Sequence, residues 1–113
     1  MITLRFNWDA EFNKQLEGLY KVKVGEDAYA VTQMEPVSAR HAFPGFDEPR
    51  FKTPYDISLT VPVEDVALAN TRVVKETPSK DGKWKTLQFA TTLPLPTYLI
   101  AMAVGPWEVV EAP

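Results

Sequence analysis

Apolar and polar residues alternate in several short windows along this chain, and few windows carry a helical spacing. Ile2, Leu4, Phe6 and Trp8 alternate with Thr3, Arg5 and Asn7, the period-two pattern that predicts a half-buried first strand. Asp9 to Glu17 fits either a short helix capped by Asp9, with Phe12 and Leu16 four apart on one face, or a structured loop. Leu19 to Val24 reads as a second strand, with Tyr20, Val22 and Val24 against Lys21 and Lys23. Gly25-Glu26-Asp27 is a turn signal, and Ala28 to Met34 follows as a third strand. Tyr55, Ile57, Leu59 and Val61 alternate with Asp56, Ser58 and Thr60 to give the clearest strand. Asn70 to Thr77 and Lys83 to Thr92 flank Ser79-Lys80-Asp81-Gly82, and Asp-Gly is a strong hairpin signal. Tyr98 to Val104 is apolar on both faces, as a central strand requires. About seven short strands without a long helix predict an all-β fold, a β-sandwich or a saddle-like arrangement of mixed sheets.

The third strand runs into the most distinctive stretch, Gln33 to Pro62, which holds five of the ten prolines. Each proline fixes its own φ and biases the residue before it, here Glu35, Phe43, Glu48, Thr53 or Val61, toward extended geometry. A stiff, directed loop is expected. Because residues two apart in a strand share a face, Gln33 and Glu35 point the same way if the extended geometry continues to Pro36. The strand end would then present an amide and a carboxylate side by side.

The length of 113 residues suits one core, so residues 1–113 are expected to form a single domain. Hydrophobic residues make up 45% and charged residues 24%, a globular balance that argues against wholesale disorder. A net charge of −3 without a cluster of Lys and Arg argues against a nucleic-acid footprint. The absence of cysteine removes disulfides, thiolate nucleophiles and Cys-ligated zinc, and leaves the compartment undetermined. Met1 to Glu11 lacks the pattern of a signal peptide, and no apolar run approaches the roughly 18 residues of a membrane span.

Catalytic motifs are absent. His41 is the sole histidine, so no two-His zinc site and no H-E-x-x-H helix can be built, and neither a G-x-S-x-G elbow nor a phosphate-binding glycine loop occurs. No catalytic residue and no metal ligand is therefore assigned. Asp47 and Glu48, flanked by Arg40, Arg50 and Lys52, read as an ion-paired loop that locks the domain, in preference to an acid-base pair. Phe43, Phe46 and Phe51 read as core anchors beneath that loop, one of which could border a cleft. His41 reads as a partly exposed loop residue, and Trp8, Trp84 and Trp107 are dispersed in sequence.

The run from Thr32 to Pro62, T-Q-M-E-P-x-x-A-R-x-x-F-P-x-x-D-E-P-x-F-K-x-x-Y-D-I-S-L-x-V-P, closely resembles the N-terminal domain of the aminopeptidase N family of zinc metallopeptidases. Looser likeness extends through Gly18-Leu19-Tyr20 and Ala101-Met102-Ala103-Val104-Gly105. Gly45 departs from the pattern, since many relatives carry cysteine there. The resemblance implies most of the N-terminal β domain of a larger enzyme, whose catalytic domain is the partner in the same parent chain and holds the zinc. It implies that Glu35 binds the free α-amino group of a peptide substrate and that Gln33 lines the pocket for its first side chain. The alternative is a stand-alone β-sandwich binding or protein-interaction module. Without the resemblance, Gln33 and Glu35 are more simply a strand-end pair that satisfies backbone donors in the following loop.

Overall fold

The computed structural model describes residues 1–112. It is all-β, with seven strands: β1 Gly18–Val24, β2 Asp27–Gln33, β3 Ser58–Pro62, β4 Val66–Ala69, β5 Val73–Pro78, β6 Trp84–Phe89 and β7 Met102–Gly105. The helical content is limited to two 3-10 turns, Ala39–His41 and Thr97–Leu99. No helix among the described residues is long and apolar enough to cross a membrane.

The strands form two sheets, one ordered β1-β2-β7-β4 and the other β3-β6-β5. Every ladder in both is antiparallel. Their facing sides meet in a core of Val61, Ala67, Leu87 and Phe89, with Ile57, Leu59, Ala69 and Val104 packed against it. These residues come from β3 and β6 on one side and β4 and β7 on the other, so burying them is what holds sheet to sheet. Truncating Phe89, the largest of the four buried residues, to alanine would cost about 3–5 kcal/mol by the usual cavity rule.

Several predicted elements are present near their expected places. β1 and β2 pair from Gly18↔Gln33 to Val24↔Asp27 around the predicted turn. β5 and β6 form the hairpin, closed by Asp81 Oδ1, which accepts from the Lys83 amide at 3.0 Å and the Ser79 hydroxyl at 2.5 Å. The Tyr55 to Val61 alternation is realised: Ile57 and Leu59 face the core while Asp56, Ser58 and Thr60 are exposed. Regular pairing begins only at Ser58, but looser bonds continue the ladder toward the loop. The Phe89 amide donates to Ile57 O at 2.9 Å, Thr92 to Tyr55 O at 3.0 Å, and Thr53 and Leu95 bond reciprocally.

Two expectations are corrected, and one left open between two forms is resolved. Ile2 to Trp8 forms no strand, although its alternation is intact. A strand needs a neighbour to take its amides and carbonyls, and among the described residues this segment has none. Ile2, Leu4, Phe6 and Trp8 are accordingly more than half exposed. Asp9 to Glu17 is the structured loop and not the helix. The Asn13 amide donates to Leu19 O at 2.9 Å and Asn13 Oδ1 accepts from the Gln15 amide at 3.1 Å. The strand expected from Tyr98 starts at Met102, because Pro96 leads into the 3-10 turn at Thr97–Leu99. β7 is nevertheless internal, with β2 on one side and β4 on the other.

β4 was not expected. Its four residues are too few to show a period, and it exists because β7 offers it a ladder from Val66↔Gly105 to Ala69↔Met102.

Candidate functional site

Gln33 closes β2 and Glu35 lies two residues on, either side of Met34, which is 1% exposed. Met34 turns inward while Gln33 and Glu35 are both exposed, so the in-out alternation of the strand persists through Glu35. The regular extended geometry does not reach Pro36. The strand ends at Gln33, and the Ser38 amide donates to Met34 O at 2.8 Å, folding Glu35 to Ser38 into a turn. The Glu35–Pro36 peptide bond is cis.

The following backbone donors are served without these two side chains. The amide of His41 donates to Ser38 O at 3.1 Å, that of Ala42 to Ala39 O at 2.9 Å, and that of Arg40 to Asp47 Oδ2 at 3.0 Å. Among the described residues the Gln33 amide and the Glu35 carboxylate make no hydrogen bond or ion pair within the chain. Both groups are open to solvent.

Behind Glu35 the turn is packed closely. Gly18 at the start of β1 has φ +64°, and a Cβ there would lie 3.2 Å from Ser38 O and 3.4 Å from His41 Cβ. Only glycine tolerates both that backbone angle and that approach. The first residue of β1 thus backs the turn that follows β2.

Asp47 fixes the far side of the turn. It is 8% exposed, and its Oδ2 accepts from Arg40 Nε at 2.9 Å as well as from the Arg40 amide. Arg40 Nη2 donates to Asp47 O at 3.0 Å, and the Thr97 hydroxyl donates to Asp47 Oδ1 at 2.5 Å. Burial alone pushes the Asp47 carboxyl up, but the bonds from Thr97 and from the Arg40 side chain and amide outweigh it and hold the group below the usual 3.8. The same charge helps burial raise the nearby Tyr55 hydroxyl.

The outer part of the loop is more open. Glu48 and Arg50 pair at 3.0 Å with both side chains exposed, which completes the predicted ion-paired loop in a form that contributes little. Lys52 takes no part in an ion pair among the described residues. Phe43 is half-buried and meets Tyr55 edge-on at 6.4 Å, as an anchor should. Phe46 corrects the expectation: it is 78% exposed and tilts against Phe51, itself exposed, at 5.8 Å. The loop bends away at Phe46, where Asp47 and not the ring turns inward. Leu4, Phe6, Trp8, Phe46, Phe51 and Tyr55 line an open cleft of about 1030 Å³.

His41 is exposed. Trp8 donates to Ala42 O at 3.0 Å and Trp107 packs on Tyr29 at 4.5 Å, so the tryptophans serve different places. No group of three or more His, Cys, Asp or Glu that could hold a metal ion occurs among the described residues. The residue that sequence reading missed is Thr97. Its bond to Asp47 spans fifty positions, and no local pattern marks it.

Residues 1–99 match the Peptidase M1 N-terminal domain. Over 116 residues the chain is 41% identical to puromycin-sensitive aminopeptidase of Caenorhabditis elegans, covering 98% of this chain and 12% of that protein. It is 42% identical over 106 residues to aminopeptidase 2 of Candida albicans, covering 90% and 11%. It is 38% identical over 116 residues to human glutamyl aminopeptidase, covering 98% and 12%. The chain thus spans about an eighth of the length of these curated relatives. An all-β chain whose residues 1–99 match that domain, and which aligns over 90–98% of its length at about 40% identity with these aminopeptidases, belongs to the Peptidase M1 N-terminal domain family.

Proposed function

We propose that this domain is the amine-recognising part of a zinc-dependent aminopeptidase, which removes residues from peptide N-termini in a catalytic domain of the same parent chain. In this reading residues 1–113 are most of one β domain. Glu35 binds the α-amino group of the substrate, and Gln33 lines the pocket for its first side chain. The observation that carries the reading is the pair of exposed, unengaged polar groups on either side of buried Met34. A strand-end pair serving the backbone would be occupied by loop amides, and those of Ser38, Arg40, His41 and Ala42 have other acceptors.

The chemistry follows from charge. A carboxylate facing an ammonium makes a charge-assisted hydrogen bond, stronger than a neutral one. An internal peptide segment has no ammonium and would leave Glu35 desolvated without a partner, so selectivity for chain ends follows. The zinc of such an enzyme does not fit the residues of this chain, which has one histidine, no cysteine and no candidate ligand cluster among the described residues.

The test is Glu35→Ala in the full-length enzyme. Catalytic efficiency toward an aminoacyl reporter should fall by about 2–5 kcal/mol, the range for truncating one partner of a desolvated charge pair, with folding little changed. Loss of folding at unaltered efficiency per folded molecule would return Glu35 to a structural role.

A further inference from the structure

We propose that Asp47 is a positioning residue for amine recognition: by joining Arg40 to Thr97 it fixes the direction in which Glu35 leaves the end of β2. The inference rests on the reading of Glu35 as the amine anchor and adds to it the device that holds the anchor in place.

The connections form a closed circuit. From Gln33 the chain runs through buried Met34 and the Glu35 to Ser38 turn into the 3-10 turn at Ala39–His41. The Arg40 amide and guanidinium bind Asp47, and Asp47 Oδ1 takes the Thr97 hydroxyl. Thr97 opens the second 3-10 turn, where the Ile100 amide donates to Thr97 O at 3.1 Å, and the chain then enters β7. β7 returns to β2 through Ala30↔Val104 and Val31↔Ala103, and the Met102 amide donates to the Thr32 hydroxyl at 2.9 Å. Thr32 precedes Gln33, so the circuit closes beside the proposed anchor.

Apart from the Thr32 hydroxyl, which takes the Met102 amide beside the β2–β7 ladder, every other link in this circuit is backbone, a ladder bond or a local turn. Asp47 is the junction where a single carboxylate joins two segments fifty residues apart. Ser38 and Ala39 are buried within it, and Gly18 backs it so closely that no side chain would fit between them without displacement. Glu35 therefore has a rigid strand before it and a clamped turn after it. An anchor of this kind matters because displacing a binding group by about 1 Å can cost about a hundredfold in rate. Conformity of the turn to one direction is what the clamp supplies.

The experiment uses the full-length enzyme and two inhibitors that differ by one group, leucinamide and its desamino analogue 4-methylpentanamide. The ratio of their inhibition constants reads amine recognition and is blind to a uniform loss of folded protein. Asp47→Asn should lower the preference for leucinamide by about tenfold or more and raise KM for an aminoacyl reporter more than it lowers kcat. Glu35→Gln should lower the same preference, and adding Asp47→Asn to it should lower it no further. If Asp47→Asn does not yield folded enzyme, Thr97→Val removes one donor to the carboxylate and keeps the Arg40 pair, and it should move the preference the same way. An effect of Glu35→Gln with none from Asp47→Asn or Thr97→Val overturns the positioning role. Absence of any effect from Glu35→Gln overturns the amine-anchor reading itself.

Discussion

Asp47 Oδ2 receives both the backbone amide and the Nε of Arg40, at 3.0 and 2.9 Å, so one oxygen restrains both the main chain and the side chain of a residue seven positions away. The Arg40 side chain is 53% exposed while that of Asp47 is 6% exposed. The Coulomb part of the pair is therefore screened, and the larger contribution lies in the desolvated bonds that Asp47 accepts from the Arg40 amide and the Thr97 hydroxyl.

The two ion pairs of this loop should accordingly differ under mutation. Asp47→Ala leaves donors unserved in a buried place and should destabilise by about 2–3 kcal/mol, the range for hydrogen bonds to a charged group. Glu48→Ala breaks a pair exposed on both sides and should stay within about 0.5 kcal/mol. Denaturant midpoints of the two variants compare them directly, and equal losses would contradict the division.

Acid stability follows from the sign of the Asp47 shift. Its folded-state value lies below 3.8, so its stabilising contribution is complete above 3.8 and is lost as the pH falls through the lower, folded value. Asp65 is shifted the other way, raised by burial and then by Glu64. It favours the folded state when protonated, and its contribution weakens as the pH rises through a folded value above 3.8. Asp47→Asn should flatten the acid limb of a stability profile below 3.8. An unchanged limb would place the acid sensitivity elsewhere.

Gly105 offers a test of packing alone. A Cβ at this end of β7 would lie 2.5 Å from Tyr29 Cδ1, and the Tyr29 ring is itself backed by Trp107 at 4.5 Å. The ring must shift from its packing with Trp107, and Gly105→Ala should cost about 1–3 kcal/mol as overpacking does. Thermal unfolding of Gly105→Ala alongside Gly105→Ala/Tyr29→Ala separates the causes. Relief in the double variant is expected, and additive losses would refute the clash.

Gln33→Ala in the full-length enzyme should alter which first residues are preferred while leaving the requirement for a free amine intact. A single side-chain contact in such a pocket changes discrimination by about 1–3 kcal/mol. A panel of aminoacyl reporters with different first residues measures it. A uniform loss across the panel would argue that Gln33 supports the fold and not the pocket.

Local signals in the sequence located much of this fold. β1, β2 and the β5–β6 hairpin follow alternation and turn chemistry, because those strands pair with neighbours close in the chain. Ile2 to Trp8 carries the same alternation and forms no strand, since periodicity marks a segment able to pair and does not supply its partner. β4 shows the converse, a strand made by its neighbour from too few residues to show a pattern. At the site, alternation sets Gln33 and Glu35 on one side of a strand end, while the substrate role expected of them comes from the family resemblance and not from the pattern. The inward turn of Asp47 and the outward turn of Phe46 depend on Thr97, fifty positions later, which no spacing announces.

The loop of Gln33 and Glu35 is fastened in a chain that contains no cysteine. Its lock is made of hydrogen bonds to one carboxylate, which neither a reducing nor an oxidising milieu cuts, and its proton switch lies far below neutrality. The geometry of the turn that follows β2 is thus indifferent to redox state.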